Sequence, residues 1–265
     1  MKTYFVDSFT NEKFKGNPAA VCIVENNIDE KEMQDIATEI GFSETAFIKN
    51  LSDNSYSIRF FTPKMEIPLC GHATLASSKI IFDTTTLTKI AFININNVEL
   101  VIEKSGTEIK MQFPVYETEE IEVPQNMLNA LGINQIENKR YSPNNKIILI
   151  EIKDTRVLAD LRPDFLSLVN SYDGINGVLV TAKSDSIDFD FHYRYFWPWA
   201  GTNEDPVTGG IQTFLTKYWA TILNKNKLNA FQSSARTGKM NTELNDNKVF
   251  IYGEAVTVFE GEFKS

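Results

Sequence analysis

Two short segments, Ile58-Arg59-Phe60-Phe61-Thr62-Pro63 and Tyr193-Arg194-Tyr195-Phe196-Trp197-Pro198, align with their arginines 135 residues apart (194 − 59). Each is an aromatic-rich run closed by a proline, the pattern of a strand that stops where a backbone donor is lost. A helical pattern and an apolar strand precede each one. A loop, a glycine and an apolar helix follow, starting at Gly71 in one copy and at Gly209-Gly210 in the other. A shared order of elements predicts a duplicated α/β unit. The chain has 265 residues, enough for two units of roughly 120–130 residues, an ordinary domain size. We place the halves at residues 1–116 and 117–265, with the last strand free to return to the first half. The acidic, twice proline-punctuated stretch 113–124 reads as the linker.

Local signals fill in the halves. Residues 4–9, 19–24, 44–48 and 56–62 read as strands in the first half, and 146–152, 177–181 and 188–197 in the second. Asp29, with Glu32 three residues later, opens a helix as in a capping box, and Gly41 suits its end. A short helix is expected over 163–170. Two facing halves would enclose a cleft, a common place for a small-ligand site.

Charge narrows the function classes. Acidic residues number 35 against 26 basic, a net charge of −9. Phosphate backbones need a basic surface, so a nucleic-acid partner is not expected. No apolar run approaches the ~18 residues of a membrane span, and the first ten residues hold no secretory pattern. Two cysteines, Cys22 and Cys70, make no disulfide framework. The expectation is a cytoplasmic protein.

The stretch PLCGHATLAS, 68–77, sets a thiol, a glycine and an imidazole at a helix start. A zinc site needs three or four ligands. The only histidines are His72 and His192, and Cys70 with His72 has no partner pair in sequence, so no metal is expected. A two-thiol racemase needs a cysteine at the second helix start, and Asp205-Pro206-Val207-Thr208-Gly209-Gly210 has none. Glu44 opens an otherwise apolar strand in GFSETAF, whereas the matching second segment, Asn176-Gly177-Val178-Leu179-Val180, has no acid. A carboxyl among apolar neighbours has a raised pKa and suits general acid/base work. The plainer reading is an exposed acid at a strand start. Asp205 is equally a turn or capping residue. Gly71, Gly209 and Gly210 offer free backbone amides, an anion site at two helix starts.

Taken together, GNPAAVCIV, GFSETAFI, PLCGHATLAS, NEDPVTGG and QSSARTG (232–238) fall in the order seen in the phenazine biosynthesis PhzF-like family, which the chain resembles from Val6 almost to its end. The resemblance implies an α/β (α+β), duplicated diaminopimelate epimerase-like fold. Each half would be a curved sheet or half-barrel around a central helix, with the active site between them. It implies cofactor-free isomerisation by proton transfer, in the family on a cyclohexadiene carboxylic acid, dihydrohydroxyanthranilate. Glu44 falls on the family's acid/base glutamate, His72 on the CGHAT histidine and Asp205 on the EDPVTG aspartate, which makes these three the expected catalytic residues. Gly71 and Gly209 fall on glycines whose amides contact substrate, and Gly210 follows as part of the same anion site. A homodimer is also implied.

The family commonly reads Val-Thr-Gly-Ser-Ala-His where this chain has Val207-Thr208-Gly209-Gly210-Ile211-Gln212, and Gln-Gly where it has Gln232-Ser233. The expected function is therefore an isomerase of a small carboxylated metabolite, cyclic ones included. The alternatives are an amino-acid epimerase or racemase, and a non-catalytic ligand-binding protein on the same scaffold.

Overall fold

The computed structural model describes residues 1–26 and 28–264. The chain divides into two compact units: Met1–Phe113 with the chain from Phe250 onward, and Pro114–Val249.

In the first unit the strand Asn17–Ile23 runs parallel to Thr45–Ser52, and the helix Glu30–Ile40 makes the crossover between them. Asp29 caps that helix by accepting from the Glu32 amide, and Gly41 ends it at φ 72°. Ser55–Phe61 pairs antiparallel with Thr45–Ser52 and parallel with Lys89–Ile93. The helix Gly71–Thr84 makes this second crossover. On the far edge Lys2–Ser8 pairs with Asn17–Ile23 and, on its other side, with the C-terminal strand Ala255–Glu262.

The second unit repeats that plan. Ile147–Glu151 is parallel to Gly177–Lys183, with the short helices Thr155–Asp160 and Phe165–Val169 between them. Phe191–Phe196 pairs antiparallel with Gly177–Lys183 and parallel with Lys227–Gln232, across the helix Gln212–Leu223. Order and sense match the first unit at both crossovers.

The repeat reaches individual side chains. Arg59 forks onto Glu66 at 2.7 and 2.6 Å and lies 5.2 Å from the Phe61 ring centroid. Arg194 forks onto Glu204 at 2.7 and 2.8 Å and lies 4.9 Å from the Phe196 centroid. IRFFTP and YRYFWP therefore each encode an arginine clamped between a carboxylate and the aromatic two residues on. Such bidentate pairs fix a loop to a strand.

Both crossover helices are core elements. Ten of the 14 residues of Gly71–Thr84 are buried, and its polar face shrinks to the i,i+4 pair Lys79–Asp83. Its hydroxyls remain satisfied because Thr74, Ser77 and Ser78 donate to the carbonyls of Cys70, Ala73 and Thr74. In the second unit Trp219 stacks on Phe191 at 5.6 Å and donates its indole N–H to Thr181.

The segment expected as a linker is hydrogen-bonded into the second unit. The Tyr116 amide donates to Thr213 and Glu119 pairs with the Tyr141 backbone. These backbone partners on the neighbouring helix and strand tie down an otherwise acidic stretch. Among the described residues no helix is long and apolar enough to cross a membrane.

Candidate active site

The first unit brings Glu44, Cys70 and His72 together. Glu44 sits just ahead of the strand Thr45–Ser52, and its carbonyl accepts from the Ala20 amide of the neighbouring strand. Cys70 occupies the N-cap of the helix Gly71–Thr84, and His72 its first turn. No side chain caps that helix start by hydrogen-bond geometry, and although the Ala73 amide faces the Cys70 sulfur, the amides at Gly71 and His72 suit an anion. Asn94 holds the preceding loop by donating to the Pro68 carbonyl, and the Ser8 hydroxyl donates to the His72 carbonyl at 2.7 Å.

His72 Nε2 stands 3.1 Å from Glu44 Oε2, with both side chains only 8% exposed. The contact is a charge pair rather than an aligned hydrogen bond, since Oε2 is buried without a directed donor. The Cys70 sulfur lies 3.4 Å from His72 Nδ1. Burial, the largest single cause, pushes the Glu44 carboxyl up, but the charge and contact of His72 together with Ser43 outweigh it and the group ends below its ordinary value. Burial pushes His72 down, and Cys70 and Glu44 together raise it well above the usual imidazole value. Burial, the largest cause, raises Cys70 despite the neighbouring His72. Glu44, the one member of the three that is lowered, is the standing anion beside the imidazole. The sequence alone predicts a raised Glu44; the structure reverses that direction because His72, 28 residues on (72 − 44), supplies a counter-ion.

Linkage gives this pair a pH signature. His72 is raised, so its stabilisation is complete below the unfolded value of about 6.5 and is lost as pH rises through the folded one. Glu44 is lowered, so its stabilisation holds above the unfolded value of about 4.3 and is lost as pH falls. Thermal unfolding should show wild type gaining most over His72→Gln between about pH 4.3 and 6.5, with the gap closing on both sides. A gap independent of pH would contradict the ion pair.

In the second unit no acid matches Glu44. Thr45 pairs with Phe61, and Val178 with Phe196, the repeat mate of Phe61. Gly177 therefore occupies the Glu44 position. A Cβ on Gly177 would stand 2.6 Å from the Phe196 carbonyl oxygen and 2.7 Å from the Tyr195 ring. A glutamate side chain does not fit at this position without a shift of that backbone.

Asp205 is built into a braced loop. Its carboxylate accepts from the Thr208 hydroxyl, and its amide donates to Tyr195. Buried Gln232 spans the loop, donating to the Asp205 carbonyl at 2.6 Å and accepting from the Thr208 amide at 2.7 Å. Ser234 adds a bond to the Pro206 carbonyl. The motif QSSARTG is visible in sequence, but its bracing role depends on strands that only the fold brings together. Gly209 and Gly210 follow this loop, ahead of the helix Gln212–Leu223, whose start no side chain caps. A Cβ at Gly210 meets nothing within 4 Å. The fold therefore tolerates the family's serine there, and glycine leaves that space open. Gln212 is fully buried and accepts from Thr216 at 2.9 Å. His192, the other histidine, contacts Ser233 at 3.3 Å.

Comparison with known proteins agrees with this architecture. A family model described as "Phenazine biosynthesis-like protein" matches residues 6–261. An uncharacterized isomerase of Halalkalibacterium halodurans is 41% identical over 264 residues, covering 98% of this chain and 97% of that protein. A phenazine biosynthesis-like domain-containing protein of Homo sapiens is 37% identical, covering 97% of each. A PhzF-family crystal structure from Enterococcus faecalis superposes with a TM-score of 0.93 at 37% identity, covering 100% of this chain and 99% of that one. A predicted epimerase of Pseudomonas aeruginosa shares the fold, with a TM-score of 0.74 at 16% identity over 100% and 99% of the two chains. The mixed, duplicated epimerase-like architecture expected from the sequence is the one found. The chain belongs to the phenazine biosynthesis-like (PhzC-PhzF) family.

Proposed function

We propose that the protein is a cofactor-independent isomerase that moves a proton on a small carboxylated metabolite, with Glu44 as the acid/base. The supporting observation is the buried Glu44–His72 pair, whose carboxylate oxygen lacks a directed donor. An ionised, partly unsatisfied carboxylate accepts a proton from an activated C–H bond. When it does so, negative charge moves from Glu44 to the substrate. The imidazolium of His72 remains beside the site and stabilises that charge without reorganising. The uncapped amides at Gly71 suit a substrate carboxylate.

Asp205 is assigned to the catalytic set with Glu44 and His72, and Gly209 and Gly210 to substrate binding, on the strength of their motif. Homodimer formation belongs to the same reading, and sedimentation tests it. A two-base epimerase is less well supported because Gly177 stands where a second Glu44 would be.

One base that takes and returns the same proton leaves a trace. In deuterated water, small carboxylic acids with an activated C–H should give product that retains part of the original hydrogen. The family's cyclohexadiene carboxylic acid is the first probe. Partial internal return supports one-base transfer by Glu44. Complete washout with inversion at carbon would favour two bases and overturn the assignment.

A further inference from the structure

Proton transfer leaves one member of the cluster unused. Cys70 is buried against His72 and Glu44, and the donor atoms of the three residues lie within 4.8 Å of one another. The sulfur is 3.4 Å from Nδ1 and 4.0 Å from Nε2 of His72, and Nε2 is 3.1 Å from Glu44 Oε2. Among the described residues no Lys or Arg forms an ion pair with Glu44. Cys22, the other thiol, packs against the Thr3 hydroxyl at 3.5 Å.

Sulfur, imidazole nitrogen and carboxylate oxygen are the three donor types of protein zinc sites, with bonds of about 2.0–2.3 Å. Tetrahedral ligands on such bonds stand about 3.3–3.7 Å apart. Among the three ligand atoms Nε2–Oε2 is 3.1 Å, Sγ–Nε2 is 4.0 Å and no separation exceeds 4.8 Å, so closing the set takes a rotation that brings the Cys70 sulfur in toward Nε2 and Oε2. Three protein ligands leave a fourth position for water. Sequence spacing hides the site, because the third ligand arrives from a strand far from the C-x-H pair.

We propose that Glu44 Oε2, His72 Nε2 and Cys70 Sγ form an inhibitory zinc site. Binding replaces the thiol proton and the imidazolium proton with one Zn²⁺, and both protons pass to water. Glu44 enters already ionised. The bound metal occupies the carboxylate oxygen that proton transfer needs. The inhibitory consequence rests on the role given to Glu44; the metal binding does not.

Cobalt(II) tests the binding as a spectroscopic stand-in. The full chain, stripped with a chelator, should take up one Co²⁺ and show thiolate-to-cobalt charge-transfer absorption in the near ultraviolet. One equivalent of Zn²⁺ should abolish that absorption. Cys70→Ser should lose it and Cys22→Ser should keep it, both with native circular dichroism. No charge-transfer absorption in wild type, or absorption that survives Cys70→Ser, overturns the site. A failed acid/base role for Glu44 would leave the cobalt spectrum intact, so the two readings fail separately.

Discussion

Arg194→Ala is expected to destabilise the second unit by about 3–5 kcal/mol, whereas Arg59→Ala should cost about 1 kcal/mol or less. The two arginines are repeat mates with the same carboxylate and aromatic partners. They differ in burial and in load. The Arg194 side chain is 7% exposed, against 25% for Arg59. Its Nη1 also donates to the carbonyls of Leu158, Ala159 and Leu161 at 3.2, 3.2 and 2.8 Å, closing the end of the helix Thr155–Asp160. Removing the guanidinium strands those three carbonyls away from water; the carboxylates do not separate the two sites, since Glu204 and Glu66 are 18% and 14% exposed. Arg59 instead shares itself with Glu30, whose side chain is 71% exposed, and water replaces much of what is lost.

Urea unfolding separates the cases. All three tryptophans, Trp197, Trp199 and Trp219, lie in the second unit, so their fluorescence follows Arg194→Ala, and far-ultraviolet dichroism follows Arg59→Ala. Equal losses in the two variants would refute the difference in burial as its cause.

The same pair of arginines shows what the sequence makes legible. A strand rich in aromatics with an arginine is uncommon enough that two copies, each closed by proline, expose the duplication. Caps are legible for the same local reason, as with Asp29 and Gly41. The helix Thr155–Asp160 escapes because six residues are too few to show a period, although Asp154 caps it by accepting from Arg156 and Val157. The strand Asn138–Ser142, read NKRYS, shows no apolar alternation. Its partner Ile147–Glu151 defines it.

The site divides along the same line. Glu44 and His72 stand out singly, as an acid among apolar residues and a histidine at a helix start. Their pairing, and with it the direction of the Glu44 shift, depends on a strand and a helix start meeting in three dimensions. Cys70 is similar: its sulfur finds no partner at any readable spacing, yet it touches the His72 ring.

The larger kinetic effect belongs to Glu44→Gln. Glutamine matches the size of glutamate but takes no proton at neutral pH. Loss of a positioned acid/base lowers rates by about 10²–10⁴-fold. His72→Gln should act differently, because Glu44 remains. Without its counter-ion the buried carboxyl is governed by desolvation and its pKa rises, so the acidic limb of the rate profile moves to higher pH. Substrate affinity should change little in Glu44→Gln, since the amides at Gly71 are untouched.

The decisive measurement is hydrogen–deuterium exchange at the activated carbon of a bound carboxylic acid, followed by NMR for wild type and Glu44→Gln, with binding measured in parallel by calorimetry. The Glu44 assignment predicts that wild type exchanges, and that the variant binds with similar affinity but exchanges at least about 100-fold more slowly. Exchange by Glu44→Gln at the wild-type rate would contradict it.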